Sequence, residues 1–536
     1  MPQTWSLATA PVAHLKTDLE WSPMRIRTLL FAVAGLAIGT LSGPSAATLG
    51  LADEIHAATL DNGMRVIMVP RPFAPIIRFH LSFDVGGIDE PDGLGGLAHM
   101  VEHMAFKGTR SIGSRDPLAE QAALHEVEVL VAALSQARAA GYSADDQAWL
   151  AKRLEAQRAR ARELAENDAL DRLFEANGGV GLNAGTGYDR TRYTIGLPRN
   201  RLELYARVYA DVLRNPVFRS FYAERDVVRE ERRQRSEDDP QGVLIEALLA
   251  EAFRRHPYGR PLIGAAEEIA GYTATAARAF FTQYYVPNRA VLVLVGDVDP
   301  DQDLAIIERY FGILEPGRVL QRPLPAEPEQ AGPRAVEVSF DAEPQLMLAF
   351  RKPTYPDPDA YALDLLEGVL TGGRTGRLVK SLVFEQRIAA AVGASASLPG
   401  IREPNLFTVF ARPRHPHTVG EVEQAIRSEL ERLVQEGVTA AELDTVKNRV
   451  RADFLRTLRS SSSLASLLAE YEHFFGGWER LFDYVDRVEA VRAEDVRSAA
   501  ARHLRPETGT TARLTRGEAG GSSAAVGPTA ALEETP

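Results

Sequence analysis

The chain has no cysteine among its 536 residues, which excludes disulfide frameworks, thiolate metal sites and thiol nucleophiles together, so any metal must be held by His, Asp or Glu. Long runs of Lys or Arg are also missing, and the formal charge is −12. Without a basic footprint for phosphate backbones, nucleic acid is not an expected partner. A Gly-x-Ser-x-Gly elbow is absent as well, which argues against a serine hydrolase of that type. No apolar run reaches the ~20 residues that a spanning helix needs, and no stable membrane span is expected once the amino-terminal segment is removed. What is present is 45% hydrophobic and 25% charged, the balance of a soluble globular chain long enough for more than one domain.

The amino terminus reads as an address. Arg25 and Arg27 follow Met24, an apolar run extends from Leu29 to Gly43, and Pro44-Ser45-Ala46-Ala47 supplies small residues. That order is the pattern of a cleavable signal over 24–47, with Met24 as the start, and it implies a periplasmic or secreted protein. A short membrane anchor is the alternative reading. At the other end, 517–536 is rich in Gly, Ala and Ser and reads as a disordered tail.

Between these ends, strands are expected at Arg65–Val69 and over Ile76–Val85, after the Asp61-Asn62-Gly63 turn. Residues 116–176 are rich in Ala, Leu, Glu and Arg at helical spacing, broken at Gly141-Tyr142 and restarted by Ser143 as an N-cap for Asp146. This predicts a long helical hairpin inserted in the first domain. Its charged faces read as solvated surface. The Pro- and Gly-rich stretch 314–334 is expected to link a first domain, 53–313, to a second, 335–513. Each half ends in a helix, a Pro-containing turn (Tyr285-Val286-Pro287-Asn288 and Leu504-Arg505-Pro506-Glu507) and a strand, which suggests tandem copies of one module. The expected fold class is α+β: two homologous α/β-sandwich modules.

Chemistry is concentrated at His99-Met100-Val101-Glu102-His103. On a helix the two imidazoles stand one turn apart on the same face, close enough to share an ion, with Glu102 beside them. The neighbours Leu94, Leu97, Ala98, Val101 and Phe106 are apolar, so the imidazoles need buried partners. The order is H-x-x-E-H, an inverted zincin motif. A further ligand is sought in Tyr222–Glu231, where Glu224 and Glu231 lie two turns apart on one face and Glu230 is rotated away. That phase selects Glu231 as third ligand, against the bland reading of a charged solvated helix.

Three stretches in this order resemble the insulinase/pitrilysin metallopeptidases, the family that includes the mitochondrial processing peptidases: Gly96–His103 with Phe106-Lys107-Gly108-Thr109, Asn183–Tyr193, and Glu224–Glu231. His256-Pro257-Tyr258, Pro261, Gly264 and Tyr285–Asn288 extend the resemblance. It implies a zinc-dependent endopeptidase with one zinc ion per chain, held by His99, His103 and Glu231, with Glu102 as the base and Glu224 as an accessory acid. It also implies an edge strand, carrying Asn183 and Ala184, that binds extended peptide, and a chain forming one half of a clamshell. The excess distance from His103 to Glu231 is taken up by the inserted hairpin. A second departure concerns an Arg and a Tyr that family members supply from the second half or a partner chain. The corresponding segment is Leu382–Ala390, with Phe384 at the Arg position and Ala390 at the Tyr position. A related partner subunit supplying that pair, or a homodimer, is therefore expected. A non-catalytic binding or assembly subunit of the same fold is the alternative, and so is a structural zinc site, although these usually close with a fourth protein ligand.

Overall fold

The computed structural model of the chain describes residues 46–318, 323–517 and 527–528. The expected signal, 24–47, lies outside them except for 46 and 47, and the expected tail, 517–536, except for 517 and 527–528. Strands are numbered β1 (His56–Thr59), β2 (Arg65–Pro70), β3 (Ile76–Phe83), β4 (Val180–Thr186), β5 (Thr191–Pro198), β6 (Ala290–Gly296), β7 (Arg334–Phe340), β8 (Gln345–Lys352), β9 (Ala389–Leu398), β10 (Asn405–Pro413), β11 (Gly509–Arg516) and β12 (Gly527–Pro528). They form two mixed sheets of the same layout, β1-β2-β6-β3-β5-β4 and β12-β7-β11-β8-β10-β9. In each, the one parallel pair joins the last long strand to the first, β2 with β6 and β7 with β11. The expected repeat is therefore visible as topology.

Helices used below are α1 (Leu97–Ala105), α2 (Pro117–Ala139), α3 (Ala144–Leu164), α4 (Ala169–Ala176), α5 (Leu202–Arg214), α6 (Phe221–Arg232), α7 (Pro240–Ala252), α8 (Ala274–Tyr284), α9 (Pro300–Phe311), α10 (Pro358–Thr371), α11 (Val419–Glu436), α12 (Ala440–Arg459), α13 (Ser461–Phe474) and α14 (Ala493–His503). The expected hairpin is α2 and α3, turning at Gly141 (φ +68°). Ser143 Oγ accepts the Asp146 amide at 3.1 Å, as its N-cap position predicts. Asp116 caps α2 likewise through the Ala119 amide.

Period-two alternation sorts the strand side chains between two different cores. In the first sheet, Val66, Met68, Leu292 and Leu294 face α1, α5, α8 and α9. Ile67, Val69, Val291, Val293 and Val295 face the other way, onto Phe454 and Leu458 of α12 and Leu464, Leu468 and Tyr471 of α13. The second sheet mirrors this: Leu346, Leu348 and Phe350 face α10, α11 and α14, while Met347, Ala349, Ala512 and Leu514 meet Leu244, Leu248 and Leu249 of α7. Each half thus lends a helix to the other half's sheet. Because both faces of β6 are covered, Ala290–Val295 is apolar without interruption.

Candidate metal centre

Helix α1 starts at Gly96, whose φ of +83° places it in the left-handed region and whose missing side chain is required: a Cβ there would stand 2.0 Å from the Ile263 carbonyl oxygen. Upstream, Glu90 Oε2 accepts the Gly96 amide and Oε1 the Ala98 amide, both at 2.7 Å. This buried carboxyl group accepts two of the otherwise unpaired N–H groups at the helix start. Burial pushes the Glu90 carboxyl up to about 8 despite those bonds. Every residue of α1 from Leu97 to Met104 is buried, so the two imidazoles are held inside the module.

His99 and His103 bring their Nε2 atoms to 3.3 Å from each other, and Glu231 Oε2, from α6, lies 3.4 Å from His103 Nε2 and 3.7 Å from His99 Nε2. The intervening hairpin does not separate them. One ligand atom from each residue lies within 4.8 Å of the others. When His103 is neutral and donates Nδ1–H to Glu224, its Nε2 lone pair faces His99 Nε2 and Glu231, and the Nδ1–H tautomer of His99 points a second lone pair at the same spot. A divalent cation would take both lone pairs and that of Glu231, and the N, N, O donor set suits zinc.

The electrostatics separate the two histidines. Burial, reinforced by His103, drives His99 down to about 3, which keeps it in the neutral, ligating form. Burial also opposes charge on His103, but hydrogen bonds to Glu224 and Glu231 overcome it and raise it to about 10. Glu231 is lowered to about 2, because His103, His99 and Arg235 outweigh burial. In the metal-free chain His103 is accordingly a cation between two carboxylates, and metal entry must displace its proton.

The surroundings orient these groups. Glu224 Oε1 is 2.9 Å from His103 Nδ1, and its Oε2 is 2.6 Å from Lys107 Nζ. This places Glu224 behind the imidazole, where a carboxylate fixes ring orientation and raises ligand basicity. Arg235 Nε holds the free oxygen of Glu231 at 3.1 Å. Glu102, 3% exposed, accepts a hydrogen bond from Thr186 Oγ1 at 2.8 Å. Burial raises its carboxyl above the usual range, offset in part by His103 and Thr186. Thr186 ends β4, which is the sheet edge beyond β5. Asn183 and Ala184 lie on that edge, in register with Thr194 and Tyr193; Asn183 is half-buried and Ala184 buried.

Lys107 and Thr186 lie in the stretches that carry the resemblance without a role assigned to them there, and Arg235 and Glu90 lie outside those stretches. Arg235 carried a signal, being four residues after Glu231 on a continuing helical turn. Glu90 carried none, since its bonds cross a turn to a helix start.

Residues 65–143 and 161–266 match the family described as insulinase, peptidase family M16, and residues 271–450 match the peptidase M16 inactive domain. The chain belongs to the M16 family. The unmatched residues 144–160 of this M16 chain fall within α3. A Helicobacter pylori protein named zinc protease PqqE is 27% identical over 424 residues, covering 78% of this chain and 83% of its own. An uncharacterized zinc protease of Mycobacterium bovis is 28% identical over 455 residues, covering 83% and 90%. Among solved structures, a protease from Helicobacter pylori superposes with a TM-score of 0.71 at 26% identity, over 86% of this chain and 99% of that one. The first half of the periplasmic protease PqqL from Escherichia coli shares the fold, with a TM-score of 0.64 at 19% identity over 87% and 92%. Among the described residues, the M16 second half holds no metal-type cluster, and no helix is long and apolar enough to cross a membrane.

Proposed function

We propose that the chain is a zinc-dependent endopeptidase that hydrolyses extended peptides or unfolded polypeptides. The observation that carries this reading is the convergence of His99, His103 and Glu231 on one point, with Glu102 on the same helix. Bound there, zinc would lower the pKa of water towards ~7 and polarise a substrate carbonyl. Glu102 lies one residue before His103 and takes the proton from the attacking water; burial raises its basicity, and the Thr186 hydroxyl holds its second oxygen. Glu224, itself paired with Lys107, holds the His103 ring. The free edge of β4 offers main-chain N–H and C=O groups to an extended peptide, which gives affinity with little dependence on side chains. Asn183 and Ala184 are the residues that would line that strand of substrate.

Donors for the developing oxyanion are expected from another chain. Phe384 is 41% exposed, with the Arg374 guanidinium 4.5 Å over its ring, and Ala390 is exposed at the start of β9. Neither side chain can donate. A related subunit bearing an Arg/Tyr pair, or a second copy of this chain, would close the clamshell. The segment 24–47 would direct the chain to the periplasm or beyond. The test is cleavage of an unstructured peptide mixture by the mature chain, stripped of metal and then reloaded with zinc, alone and with a related neighbouring subunit. Activity that follows zinc and rises with the neighbour is expected; a zinc-loaded chain inactive in both arms would make it a binding subunit.

Glu224→Gln keeps the shape of the group behind His103 but removes its charge. A loss of zinc affinity of about 10- to 100-fold is expected, read by competition with a chelator. Unchanged affinity would show that the Glu224 contact does not support the ligand.

A further inference from the structure

The α2–α3 hairpin buries Val127, Leu130, Leu134 and Leu154 in the core of the first module. Between α2, α3 and the start of α6 lies a cavity of about 620 Å³, within the range of small-molecule sites. Its walls are mostly apolar, with Leu124, Val127 and Ala161 from the hairpin facing Val217, Phe218 and Phe221. Four arginines also line it, Arg110, Arg158, Arg162 and Arg278, against two carboxylates, Glu120 and Glu128.

Both carboxylates are already engaged. Glu120 pairs with Arg219 through bonds of 2.8 and 2.9 Å. Glu128 accepts the Tyr222 hydroxyl at 2.6 Å and the Thr275 amide and hydroxyl at 3.1 and 2.8 Å. Of the arginines, only Arg162 has an acidic partner, Glu155 at 2.8 Å. Among the described residues, Arg110, Arg158 and Arg278 have none within salt-bridge distance. The Arg158 guanidinium lies 4.6 Å over the Tyr222 ring, with Nε buried and without a hydrogen-bond partner. Arg278 lies 4.9 Å over Phe218 and bonds only the Pro216 carbonyl, at 3.2 Å. Burial, and then the charge of Arg110, hold its guanidinium below its ordinary value, against the opposing charge of Glu128. The cavity therefore combines an apolar interior with an excess of positive charge: Arg110, Arg158 and Arg278, none in a salt bridge, stand against the Glu128 carboxylate, which acts on Arg278.

We propose that this cavity binds an anionic amphiphile, a terminal carboxylate on an apolar chain, with the carboxylate at the arginine-lined mouth and the chain between the hairpin and α6. Charge complementarity and the apolar wall select that chemistry over a neutral lipid or a bare anion. Occupancy bears on the metal centre through α6. Ser220, Phe221, Tyr222 and Ala223 line the cavity, the first turn of α6 has no side-chain cap, and Glu224 is the next residue. An anion near that turn is favoured by the helix dipole, and a filled cavity would stiffen the element that presents Glu224 and Glu231.

Binding is tested by calorimetry on the full chain, using decanoate below its micelle concentration, decanol as the uncharged control, and an apolar hexapeptide with a free or amidated C-terminus. Decanoate or the free-acid peptide is expected to bind at least tenfold more tightly than its uncharged counterpart, and whichever does identifies the source of the carboxylate. Arg110→Gln/Arg278→Gln is expected to weaken that binding at least tenfold. Val129→Trp, at a half-exposed position on the cavity wall, should block it, with thermal unfolding compared in each case to confirm folding. Equal binding of acid and neutral probes, no binding of either acid, or binding unaffected by Val129→Trp would overturn the proposal. The readout is binding, so it stands or falls separately from peptide hydrolysis.

Discussion

Glu102→Gln is expected to lower kcat for peptide cleavage by about 10²- to 10⁴-fold, the usual worth of a positioned general base, while leaving zinc content unchanged. The substitution keeps the volume of a group that is 3% exposed and can still accept the Thr186 hydroxyl, so neither packing nor the His99–His103–Glu231 cluster is disturbed. What it removes is the capacity to take a proton. The measurement pairs turnover of an unstructured peptide with metal analysis of the same sample. Turnover within a few-fold of the parent would remove Glu102 from the mechanism; lost zinc would make it a structural residue of the site.

The largest stability effect is expected at Arg219, a residue remote from the chemistry. Its side chain is 3% exposed and its partner Glu120 2%. The guanidinium forks onto both oxygens of Glu120 and also donates to the carbonyls of Thr109 at 2.9 Å and Ile112 at 3.0 Å, and to that of Lys107. One side chain thus ties the loop leaving α1, the first turn of α2 and the approach to α6. Arg219→Ala leaves a buried carboxylate without its cation and removes the guanidinium from three carbonyls, of which that of Ile112 keeps the Thr109 amide, and costs about 3–5 kcal/mol. Urea unfolding of the parent and variant measures it. Replacing both partners, as Glu120→Leu/Arg219→Met, should recover part of the loss, since no buried charge is then left alone. A single-variant cost below about 1 kcal/mol would show that water reaches Glu120 and screens it.

Several features were legible in one dimension because their physics is local. The i, i+4 spacing of His99 and His103 and the seven-residue spacing of Glu224 and Glu231 are helix periodicities, and the chain places these pairs on α1 and α6 as those periods require. The hairpin with its Ser143 cap, the strands at Arg65–Pro70 and Ile76–Phe83, and the strand after Leu504–Glu507 are of the same kind. Phase narrowed the role of Glu224 only to a shared face. Its contact with His103 Nδ1 is what makes it an orienting group.

The sequence by itself determined the donor types available for a metal, the helices that carry them, and the repeated α+β plan, because composition and short-range spacing constrain each of these directly. Tertiary structure alone decided the rest: that α1 and α6 meet across the intervening hairpin, that Thr186 on an edge strand reaches Glu102, that Glu90 caps the helix carrying His99 and His103, and that α7 and α13 cover each other's sheets. Those outcomes depend on which apolar faces find one another over hundreds of residues, and apolar burial is non-directional, so no local pattern records its partner.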